Sequence, residues 1–93
     1  MSALAETIQL RMQIHELIDL ARGWGLSEFD LNNAFEALEH NEFGVGLDIV
    51  LVHLFERNVG VDDTFILKAR EACSGMEIEW DQYKFVEALA MRD

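Results

Sequence analysis

Residues 23–56 read GWGLSEFDLNNAFEALEHNEFGVGLDIVLVHLFE, and this stretch decides the fold. Apolar residues recur twice at i, i+3, i+4 and i+7: Leu31, Ala34, Phe35 and Leu38, then Leu47, Val50, Leu51 and Leu54. That spacing places each quartet on one side of a 3.6-residue helix and predicts two amphipathic helices joined by a turn at 40–44. The stretch holds no Lys or Arg but seven acids, Glu28, Asp30, Glu36, Glu39, Glu42, Asp48 and Glu56, about two-thirds of the formal net charge of −11. A helix surface of one sign, fixed on a core, concentrates a basic partner and speeds its encounter. Acidic helix faces also serve solubility alone, but ordinary solvated faces mix both signs.

Working outward, the N-terminal side carries Leu10, Ile14, Leu17, Ile18 and Ala21 on one stripe, widened by Ile8 and Met12, which predicts a long first helix over 3–21 capped by Ser2. Gly23 and Gly25 are suited to end it. Trp24 between them is either a plug folded back over the core or an aromatic anchor for a partner. Ser27 and Asp30 approximate a capping box at the start of the second helix. The third helix spans 45–57 with Asp48 in its first turn. Its centre, Ile49-Val50-Leu51-Val52, is apolar all round and predicts burial from several sides. Asp62 caps a fourth helix over 63–73, and a fifth follows over 79–91, with Trp80, Tyr83, Val86 and Ala90 on one stripe and Gln82, Phe85 and Leu89 on a neighbouring one. No stretch alternates as a strand does. The expected architecture is therefore all-α: one domain over 1–93, a bundle of about five helices with short connections.

A chain of 93 residues buries roughly 60–65% of its unfolded surface, enough for independent folding. Its acidity argues against direct contact with nucleic acid or an anionic membrane, since phosphate contacts need Lys and Arg. No run approaches the roughly 18 apolar residues of a membrane span, and no positive segment leads an apolar one, so a cytoplasmic protein is expected. Cys73, the single cysteine, reads as a small buried hydrophobe. His15, His40 and His53 show no ligand spacing, and Ser2, Ser27 and Ser74 all fall at helix boundaries. No metal, cofactor or catalytic nucleophile is assigned, and no enzyme activity is expected. The Asp-Ser-Leu triplet of acyl carrier proteins, another acidic helical class, is missing.

Gly25-Leu26-Ser27 opening a helix, Ala34-Phe35-Glu36-Ala37-Leu38-Glu39, Asn41-Glu42-Phe43-Gly44, Leu54-Phe55-Glu56, Val59-Gly60-Val61 and the Gly75-Met76-Glu77-Ile78 turn cover about two-thirds of the chain. In these the chain resembles the MafI-like small immunity proteins of bacterial polymorphic and contact-dependent growth inhibition toxin systems. One departure falls at Gly60, near which members often carry proline. The resemblance implies a helical immunity-type domain that binds the C-terminal effector domain of a cognate toxin, in several systems a nuclease such as an EndoU-type RNase. An acidic protein can occupy the basic surface with which a nuclease holds phosphates. Asp30, Glu36, Glu39, Glu42 and Asp48 are the expected electrostatic contacts, with Phe43 or Trp24 as aromatic anchor. Asp62, Asp63, Glu77, Glu79 and Asp81 are alternatives. A helical adaptor that binds an amphipathic segment in an apolar groove is the competing reading, and exposed aromatics leave room for a homo-oligomer.

Overall fold

A computed structural model describes residues 3–91. Four α-helices, α1 (Ala3–Trp24), α2 (Glu28–Glu39), α3 (Phe43–Glu56) and α4 (Asp63–Gly75), are followed by a 3₁₀ helix, Trp80–Leu89. The described residues form no strand, only one parallel bridge between Val61 and Ala90. The expected all-α bundle of five helical elements is what the chain adopts. The Ser2 cap expected for the first helix lies outside the described residues.

α1 packs against α2, α3 and α4, while α3 packs against α1, α2 and the 3₁₀ helix. Both predicted quartets supply the core: Leu31, Ala34 and Leu38 from α2, and Leu47, Val50, Leu51 and Leu54 from α3, are buried, while Phe35 is half-buried against them. Ile14, Leu17, Ile18 and Ala21 meet them from α1, and Phe65, Ile66, Ala69, Ala72 and Cys73 from α4. Burial pushes the Cys73 thiol up, which suppresses the reactive thiolate.

All four α-helices end alike. After each, one amide bonds the carbonyl three residues back and the next bonds the carbonyl five residues back, the paired bonds of a Schellman motif. The longer bonds run from Leu26 to Ala21, Glu42 to Ala37, Val59 to Leu54 and Ile78 to Cys73, at 2.9–3.0 Å. The motif needs one residue at positive φ, filled by Gly25 (110°), Asn41 (58°), Asn58 (54°) and Glu77 (57°). Only the first is glycine, so the helix ends lay partly hidden in asparagine and glutamate. α1 and α4 run past their expected ends, to Trp24 and Gly75, because the positive-φ residue that closes each lies further along, at Gly25 and Glu77. α3 starts at Phe43 rather than at Val45, with Glu42 as its N-cap residue.

The last element is a 3₁₀ helix where an α-helix was expected. Trp80, Tyr83, Val86 and Leu89 recur every three residues, the 3₁₀ repeat, and the last three are buried. An α-helix would carry Leu89 off that line. The segment is also held at its end: the Val61 amide donates to the Leu89 carbonyl (3.0 Å) and the Met91 amide to the Val61 carbonyl (2.8 Å).

Candidate functional site

The acidic helices α2 and α3 run side by side, joined by the turn at Asn41. A buried polar link between them is Asp30, only 2% exposed. Its Oδ2 accepts from Arg57 Nε at 2.9 Å, and its Oδ1 lies 3.4 Å from His53 Nδ1. The Ser27 hydroxyl accepts from the Asp30 amide at 3.2 Å, so the expected N-cap forms. Burial raises the Asp30 carboxyl, but hydrogen bonding to Arg57 and Ser27 and attraction by His53 and Arg57 outweigh it, and the group sits below its ordinary value. Asp30 is thus not a surface contact as expected. An uncompensated carboxylate at a buried position would be costly, and here it ties the start of α2 to the end of α3.

Three other expected contacts also have structural duties. Asp48 is exposed, yet its Oδ1 accepts from the buried Tyr83 hydroxyl at 2.8 Å, which ties α3 to the 3₁₀ helix. Trp24 and Phe43 are half-buried against the core, and the Arg11 guanidinium covers the Phe43 ring at 5.7 Å. Both aromatics close the bundle rather than project from it.

Glu36, Glu39 and Glu42 remain exposed, and none pairs with any described cation. Glu36 and Glu42 line a shallow groove of about 430 Å³ between α2 and α3, with Asn33, His40 and His53 beside them and Ala37, Val45 and Ile49 on its apolar side. Glu39 lies outside it. Three arginines do fold back onto these helices, but each is engaged elsewhere. Arg11 donates to the Leu38 carbonyl (3.0 Å) and to Asn41 Oδ1, Arg22 pairs with Asp19 and Glu28 (3.3 Å each), and Arg57 holds Asp30. The groove carboxylates stay uncompensated: no Lys or Arg lines the groove, and these three arginines are held by other groups.

The chain matches no protein-family model, no curated protein and no solved structure.

Sequence reasoning overlooked Phe29, which is 73% exposed at the start of α2. Phe29, Asn33, Glu36 and His40 follow one helix face, so the ring continues the groove's α2 wall toward the Asp30 end. The signal was legible: Phe29 falls outside the Leu31, Ala34, Leu38 stripe, where a large aromatic has no core to enter. Chemically, the groove offers two carboxylates and an apolar wall, with the exposed Phe29 ring beyond it on the same face of α2. That is the mixture with which an interface receives a basic or amphipathic segment. Among the described residues, no group of three His, Cys, Asp or Glu is placed to hold a metal ion, and no helix is long and apolar enough to cross a membrane.

Proposed function

We propose that this protein is a cytoplasmic immunity protein that binds the effector domain of a cognate bacterial toxin and neutralises it by occlusion rather than by catalysis. The α2–α3 groove receives the effector, with Glu36 and Glu42 on the two sides, Glu39 beside them, and Phe29 as the aromatic anchor in place of Trp24 or Phe43. The supporting observation is that Glu36 and Glu42 are exposed and unpaired at a groove that no Lys or Arg lines. A net charge of −11 suits a basic partner, and a nuclease is basic where it grips phosphates. Such charge pairing speeds association, which a cell needs when a lethal enzyme arrives.

Stopped-flow association with the effector domain encoded beside this chain tests the reading. Glu36→Lys and Glu42→Lys should each slow association several-fold at low salt, change dissociation less, and flatten its decline with ionic strength. The apolar wall of Ala37, Val45 and Ile49 favours the adaptor reading, in which an amphipathic helix lies in the groove. Association that is fast or slow but indifferent to salt would select that reading instead.

A further inference from the structure

The first three turns of α1 carry an apolar stripe that the core does not use. Leu4, Ile8 and Met12 are 69%, 49% and 67% exposed, although Ile8 and Met12 were expected to widen the inner stripe. Spaced by four, they lie along one face over about 12 Å. The buried residues of α1 begin only at Ile14. The other side of these turns is anchored: Leu10 sits against the end of α4, where a Cβ on Gly75 would lie 3.1 Å from Leu10 Cδ2.

We propose that this stripe is the seam of a symmetric homodimer, in which α1 of two copies cross antiparallel about Ile8. The charge distribution selects the occupant. Residues 1–13 contain one acid, Glu6, and one base, Arg11, and Glu16, which follows Met12 along the stripe, is paired with Lys68 at 2.8 Å, so these groups add nothing to the net charge of −11. A two-fold contact sets each surface against itself, so two strongly acidic molecules meet at lowest electrostatic cost over a neutral patch. A basic effector gains nothing there. The stripe is symmetric about its middle: antiparallel crossing at Ile8 brings Leu4 against Met12 of the partner subunit and Met12 against Leu4 of the partner subunit. Three side chains with their flanks fall short of the roughly 800 Å² per partner of a standard interface, so the dimer is weak and concentration-dependent, with a Kd on the order of 10–100 μM.

Sedimentation velocity on the full chain tests this from roughly 1 μM to roughly 1 mM, a range bracketing that Kd. The weight-average mass should climb from 10.7 kDa toward twice that value, and added salt should strengthen association by screening like charges. This salt dependence is opposite in sign to that of effector binding, so the two proposals fail separately. Leu4→Glu and Ile8→Glu, both at exposed sites, should keep native helicity by circular dichroism and stay monomeric throughout. Ile8→Cys, oxidised at a concentration where the parent chain associates, should give a covalent dimer, a readout that stands even if a glutamate variant unfolds. A parent chain that stays monomeric at the highest concentration, a folded glutamate variant that associates as the parent does, or an Ile8→Cys chain that does not cross-link would each overturn the proposal.

Discussion

At the scale of single residues, Asp30 shows how an acid in an acidic segment can be structural. Its partners on α3, Arg57 and His53, fix the pairing of α2 with α3 and therefore the groove between them. Replacing Asp30 by Ala should cost about 2–3 kcal/mol in urea unfolding, below the range for a fully enclosed pair because Arg57 is half-exposed. The pH dependence has a definite sign. The folded carboxyl lies below its ordinary value of 3.8, so its stabilisation is complete above that value and is lost as pH falls through the lower folded one. Asp30→Asn should flatten the acid limb of the stability curve in that window; an unchanged limb would show that other carboxylates carry it. The helix ends give a second residue-scale prediction. Glu77 holds φ +57° without being glycine, so Glu77→Gly should stabilise by about 1 kcal/mol, while Gly25→Ala, at φ 110° with open space around it, should destabilise by about 1–2 kcal/mol. Thermal unfolding of the two variants should move in opposite directions.

Among the elements, α2 and α3 were legible in the sequence because their apolar quartets repeat at a helical period and both quartets meet one core. The C-terminal helix was legible as an element but not as a type. Trp80, Tyr83, Val86 and Leu89 keep a strict three-residue repeat, yet ten residues fit a 3.6 period nearly as well, and the bridge to Val61 that holds its end is a tertiary contact no local pattern announces. The same holds for the site. The uncompensated Glu36 and Glu42 could be picked out from charge, but nothing local separates them from Asp30 or from Asp48, because Arg57 and Tyr83 reach those acids from 27 and 35 residues away. The junction of α3 with the 3₁₀ helix therefore offers a test. Tyr83→Phe removes the bond to Asp48 and should cost about 1 kcal/mol in unfolding, and Asp48→Ala should cost as much or more because it leaves a buried hydroxyl unpaired. If Asp48→Ala leaves stability unchanged, the bond to Tyr83 does not hold the two elements together.

Across the whole molecule, charge and apolar surface are divided between faces. Uncompensated acids border an apolar groove on α2 and α3, while the neutral start of α1 carries the exposed stripe. In the proposed immunity role, the first face meets the effector and the second meets another copy. Other acids, Glu77, Glu79 and Asp81 at the far end of α4, also lack ion pairs, so net charge alone does not locate the effector. Growth rescue separates place from charge. The neighbouring effector domain is induced with this chain, with Glu36→Lys/Glu42→Lys, or with Glu79→Lys/Asp81→Lys, all exposed substitutions expected to leave stability within about 0.5 kcal/mol. The account predicts that the parent chain and the second double variant restore growth while the first does not. Rescue by the first variant as good as the parent's, or no rescue by the parent chain, would contradict it.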